Sequence, residues 1–152
     1  MQPDGTVTQV GEPLDFPNGI VITAGGDTLV VAESRGKRLT AFDVHSDGTL
    51  SNRRLFADLG ESFPDGICID AEGAVWASLI FDSVFARVED GGRVTDRIPC
   101  DPLRAYACML GGPDGRTLFM CSASTSEPGD AAKAREGRIT TVAVDVPGAG
   151  WP

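Results

Sequence analysis

Asn18 and Asp65 stand in nearly the same sequence setting. Phe16–Ile20 reads Phe-Pro-Asn-Gly-Ile and Phe63–Ile67 reads Phe-Pro-Asp-Gly-Ile, 47 residues apart, with four of five residues matching. If both segments open equivalent strands beside a common channel, an amide oxygen and a carboxylate converge there at the same height. Hard oxygen donors of this kind suit Ca²⁺, Mg²⁺ or Mn²⁺ better than a soft metal. The glycine that follows each of them permits an unusual backbone angle or a close approach of another chain. Pro-Asn-Gly and Pro-Asp-Gly are also ordinary turn sequences, and Asp114-Gly115 shows that Asp-Gly alone carries little. At the level of these residues both readings stand.

The elements that must hold them are strands. After each Phe-Pro-x-Gly-Ile the same plan follows: GIVIT, DTLVVAE, KRLTAFDV and RRLFADL, then GICID, AVWASL, VFARVE and RVTDRI. A looser third copy runs ACMLG, RTLFMCSA, GRITTVAVDV, with Tyr106 at the position of Asn18 and Asp65. Gly25-Gly26-Asp27, Asp47-Gly48, Glu72-Gly73 and Gly91-Gly92 supply turns between the runs. Units of roughly 40–45 residues with four strands each have the length of a propeller blade. The chain therefore reads as all-β, about three four-stranded blades of a partial propeller, in repeats near 16–60, 63–100 and 104–148. Residues 4–10 read as the outer strand of a preceding blade. Asp130–Glu136 (DAAKARE) reads as a short helical insertion in a loop rather than a core helix.

The 152 residues fit one medium domain. A net charge of −9 argues against nucleic acid and against an anionic membrane surface. No apolar run reaches the ~18–20 residues of a membrane helix. Cys68, Cys100, Cys108 and Cys121 lack any CxxC pairing and read as reduced thiols that pack like small hydrophobes. His45 falls in a polar turn and Trp76 in an alternating, core-facing run. Glu33 and Ser34 end a strand, either as a solvated end or facing the channel mouth. Arg104 and Tyr106 precede the third inner strand, either as plain loop residues or as substrate contacts.

Pro17–Gly19, Val30–Ser34, Phe63–Asp70 and Ala107–Met120, taken in order, resemble the SMP-30/gluconolactonase/LRE-like family. The resemblance runs from about Asp4 to Val146. It implies a six-bladed propeller with one divalent cation in its channel and an activity on sugar lactones or related cyclic esters. It makes Asn18 and Asp65 metal ligands, with Asp65 also the general base, and Ca²⁺ the first expectation before Mn²⁺, Mg²⁺ or Zn²⁺. Glu33, Arg104 and Tyr106 are further candidates for substrate contact. The family's N-terminal glutamate ligand, a second asparagine and an early-blade arginine have no counterpart here, so the chain resembles the second half of the fold.

The expected activity is metal-dependent hydrolysis of a small-molecule lactone, with a water activated by the cation and Asp65. No G-x-S-x-G nucleophile elbow occurs in the chain. Two other readings stand beside this one: an inactive truncated fragment, and a non-enzymatic propeller used for binding. Two copies could close a six-bladed ring as a homodimer. A cytoplasmic location is expected, with no nucleic-acid or membrane partner.

Overall fold

A computed structural model describes residue 5 and residues 7–150. Eleven strands among them form three antiparallel sheets. The first sheet is β1 (Pro17–Ile22), β2 (Thr28–Glu33), β3 (Arg38–Val44) and β4 (Leu50–Asp58), paired in chain order. The second is β5 (Pro64–Ile69), β6 (Val75–Leu79), β7 (Val84–Val88) and β8 (Val94–Pro99), again in chain order. The third holds β9 (Arg104–Gly111), β10 (Thr117–Ala123) and β11 (Arg138–Ala143).

Period-two patterning explains the stacking. In the second sheet every residue of β6 and β7 is buried, because both faces are covered. Val75, Ala77, Leu79, Val84, Ala86 and Val88 face the first sheet, where Val21, Val30, Ala32, Leu39, Ala41 and Phe56 meet them. Cys68, Trp76 and Phe85 face the other way, onto Ala105, Cys108, Leu118 and Met120 of the third sheet. Fully buried side chains such as Leu39, Phe85 and Leu118 each contribute about 1.5–3 kcal/mol. The many alanines let the sheets approach closely. β1 and β5 therefore lie side by side, as do β5 and β9.

One expectation needs correction. The third blade has three strands, not four, among the described residues. After β11 the chain does not turn back along its edge but crosses to the far end of β5. There Ala71 N–H donates to the Pro147 carbonyl at 2.8 Å and Ala149 N–H to the Ile69 carbonyl at 3.2 Å. With those groups committed to the second sheet, residues 147–149 cannot serve as an outer strand. Of the outer strand expected at 4–10, the described residues 7–10 carry no strand. Residues 7–10 are exposed and unpaired, having no neighbouring strand among the described residues to bond, while Asp4 and Thr6 lie outside those residues. The helix α1 (Pro128–Ala134) is a surface insertion between β10 and β11 with no buried residue.

Candidate functional site

The inner strands β1, β5 and β9 share one irregularity at one place. In β1, Pro17 opposes Glu33 but Ile20 opposes Val31, so Asn18 and Gly19 span a one-residue slip. In β5, Pro64 opposes Leu79 and Ile67 opposes Ala77, which puts the same slip at Asp65 and Gly66. In β9, Ala105 opposes Ser122 and Ala107 opposes Cys121, leaving Tyr106 as the extra residue. A bulge of this kind re-aims a side chain out of the regular alternation. The repeat equivalence of positions 18, 65 and 106 is thus a backbone property.

The two glycines explain how close the strands come. Neither Gly19 nor Gly66 has a positive φ, so neither is needed for a turn. A Cβ at Gly19 would lie 2.6 Å from the Asp65 carbonyl oxygen and 2.7 Å from the Ile67 nitrogen. One at Gly66 would lie 2.8 Å from Ala107 Cα and 2.9 Å from the Tyr106 carbonyl oxygen. Backbone packs on backbone along the inner strands, and this brings residues 18 and 65 together.

Asp65 is half-buried. Burial pushes its carboxyl above the usual carboxylate range, and the nearby Asn18 amide pulls it part of the way back. No arginine, lysine or histidine among the described residues forms an ion pair with it. The Asn18 amide nitrogen donates to Ser34 Oγ at 3.4 Å, and Ser34 Oγ donates in turn to the Pro64 carbonyl at 2.6 Å. Ser34 has one proton, and it goes across the seam to Pro64. The hydroxyl can therefore only accept from Asn18, which sets the amide nitrogen toward Ser34 and frees the amide oxygen.

Glu33 closes β2 opposite Pro17, at the same end of the sheet as Asn18, but it is not a solvated strand end. It is fully buried. Its oxygens accept from Asp15 N–H at 2.6 Å, Arg38 Nε and Nη2 at 2.9 Å, the Thr40 hydroxyl, and Arg53 Nη2 at 3.2 Å. Burial opposes its ionisation, but the bonds from Arg38, the Asp15 amide and Thr40 prevail and bring its pKa down to about 2. This carboxylate ties the segment before β1 to the first sheet. Tyr106 is brought to the equivalent bulge but not to the same group. Its ring lines a shallow cleft of the third sheet with Cys121, Ser122 and Ile139. Its buried hydroxyl has no hydrogen-bond partner. The Arg104 guanidinium lies over Phe81, 5.2 Å from the ring centroid.

The chemistry of the donor set fits a divalent cation in part. A carboxylate short of positive charge and an amide with a free oxygen are hard donors on adjacent strands. No group of three or more His, Cys, Asp or Glu side chains is placed to hold a metal ion among the described residues. The sequence marks Ser34 as a strand end, either solvated or facing the channel mouth, and not as a bridge between sheets. The available signal was a hydroxyl in the first repeat where the second has Ile80: both residues donate their amide to the carbonyl of the preceding Phe, Ser34 to Phe16 and Ile80 to Phe63.

Stacked antiparallel blades with bulged inner strands and oxygen donors at their channel ends define a β-propeller type of protein. A family model described as the SMP-30/Gluconolactonase/LRE-like region matches residues 1–124, and the chain belongs to that family. It is 32% identical over 129 residues to regucalcin of Xenopus laevis, covering 81% of this chain and 42% of that protein. The structure of a calcium-binding regucalcin from Agrobacterium tumefaciens superposes with a TM-score of 0.78 at 23% identity, over 95% of this chain and 51% of that one. That of a gluconolactonase from Xanthomonas campestris gives 0.68 at 31% identity, over 82% and 40%. The chain thus spans about half the length of the relatives it matches. No helix among the described residues is long and apolar enough to cross a membrane.

Proposed function

We infer that this chain contributes to the metal-assisted hydrolysis of a lactone, with Asp65 as the proton acceptor and Asn18 beside it. The carrying observation is the pairing of these two oxygen-bearing side chains at matched bulges of adjacent inner strands. Asn18 and Asp65 would hold a divalent cation, Ca²⁺ before Mn²⁺, Mg²⁺ or Zn²⁺. When bound it polarises the lactone carbonyl as a Lewis acid. Asp65 takes a proton from the attacking water. The ring C–O bond then breaks, and the leaving alkoxide is reprotonated to give a hydroxy acid. The family match and the gluconolactonase likeness support the reaction class. Four free thiols suit a reducing compartment such as the cytoplasm.

The test is a lactone-hydrolysis assay with Ca²⁺ or Mn²⁺ on the wild-type chain and on Asp65→Asn, which removes the base but keeps its shape. General-base loss should lower kcat/KM by about 10²–10⁴. Turnover unchanged in Asp65→Asn removes the assignment.

A second copy of the chain is proposed as the partner that closes the ring. Ile20, Ile22 and Leu55 are exposed in the first sheet, and Met109, Phe119 and Ile139 in the third. Single apolar side chains on a surface are ordinary, but apolar sets on both terminal sheets mark interaction faces. Light scattering should give twice the 15.9 kDa chain mass; a monomer at micromolar concentration discards the dimer.

A further inference from the structure

The end of the sheets that carries Asn18 and Asp65 also carries a belt of aromatic rings and cations that the reading above does not use. β1 and β5 begin at this end, β2 and β6 finish there, and β9 starts there too, as their registers require. Phe16 immediately precedes β1, and Arg35, just after β2, lies over its ring at 5.0 Å. Lys37 lies over Phe63 at 5.2 Å, Phe63 meets Phe81 edge to face at 5.2 Å, and Arg104 covers Phe81 at 5.2 Å. The belt crosses all three sheets without a break in kind.

Three features separate it from ordinary surface. Phe16 and Phe81 are 53% and 61% exposed, large rings left in water beside the candidate site. Phe16 holds a positive φ of 60°, a conformation that costs a bulky residue about 1–3 kcal/mol and that gathers at functional sites. Charge is the third. In a chain of net charge −9, Lys37 is answered by Glu61, but neither Arg35 nor Arg104 forms an ion pair with a carboxylate among the described residues. Both guanidinium groups lie over phenyl rings, and a planar fork of donors without a carboxylate partner matches an oxyanion. Phenyl faces also pack against the C–H face of a sugar ring.

We propose that this mouth recognises a sugar ring bearing an anionic group, a carboxylate or a phosphate, received by Arg104 on Phe81 with Arg35 on Phe16 reinforcing the field. It rests on the lactonase reading only for the fate of the ligand, and narrows that reading to acidic lactones. Binding is measured by calorimetric titration of the full chain with three pyranoses that no lactonase can open: glucose, glucuronate and glucose 6-phosphate. One or both acids should bind at least tenfold tighter than glucose, and the ratio should fall as salt is raised. Comparing the two acids decides between carboxylate and phosphate. The Arg104→Gln variant should bring the ratio near one, and Arg104→Lys should keep part of it. Equal binding of all three sugars, no measurable binding of either acid, or a preference that survives Arg104→Gln overturns the proposal. None of these readouts needs turnover, so a chain that hydrolyses no lactone would defeat the functional reading and leave this result standing on its own.

Discussion

The Gly19→Ala variant is expected to lose about 3 kcal/mol of stability, at the upper end of what one extra methyl in a packed core costs. The size of the effect follows from what the methyl would strike. Its two nearest neighbours, at 2.6 and 2.7 Å, are backbone atoms of Asp65 and Ile67, and the Ile67 side chain is at 2.9 Å. No rotamer change relieves a clash with backbone, so β1 must move away from β5. That movement separates Asn18 from Asp65 and exposes the alanine-rich seam behind them. Urea unfolding measures the first consequence. The second is read by carbon NMR titration of the Asp65 carboxyl, whose raised pKa should drift back toward the free value as burial is lost. A variant as stable as the wild type, with an unmoved Asp65 titration, would mean that the inner strands are not packed as described.

Arg87→Ala should be the costliest single change at a charged residue, about 3–5 kcal/mol, because it strands a buried carboxylate. Arg87 donates from Nε to Asp70 at 2.7 Å, from Nη2 to Glu72 at 2.9 Å and from Nη1 to the Thr95 hydroxyl at 3.1 Å. Asp70 is buried, and its other oxygen accepts from the Glu72 and Ala74 amides in the turn before β6. Without the guanidinium, one oxygen of Asp70 faces low dielectric alone. Arg93, by comparison, is 74% exposed where it pairs with Glu89; its loss belongs in the range of exposed pairs, about 0–1 kcal/mol. The discriminating measurement is the urea midpoint of Arg87→Ala against Asp70→Asn/Arg87→Ala. The double variant should regain at least 1 kcal/mol, since removing the stranded charge removes most of the penalty. No recovery would show that the arginine acts through packing of its stem instead.

The repeat was legible because its physics is local. A period of two with both faces apolar, broken by Asp-Gly and Gly-Gly turns, is enough to place β1 to β8. Gly48 and Gly73 take positive φ where those turns were read. The equivalence of Asn18, Asp65 and Tyr106 survived because it is carried by a shared bulge. What sequence could not show is where long-range partners sit. Glu33 looks like any acidic strand end until Asp15, Arg38, Thr40 and Arg53 are found around it, and two of those lie 18 and 20 residues away. The third blade's missing strand was hidden for a similar reason. Val142–Val146 continues the strand pattern, but the residues after it bond to Ile69 and Ala71 of another sheet. Arg104 and Tyr106 were read as residues ahead of the third inner strand, but that strand begins at Arg104 and includes both; the ring of Phe81 under Arg104 is a tertiary fact.

The bridge from Ser34 to Pro64 has a consequence for the site itself. That hydroxyl spends its proton on a carbonyl belonging to the neighbouring sheet, so it reports whether the two sheets are in register. Slide one past the other far enough to break the bond, and the freed O–H can point at Asn18 instead. The amide can then turn over, so that its oxygen accepts from Ser34. The registry of two sheets and the orientation of the Asn18 amide are thus tied through one hydroxyl.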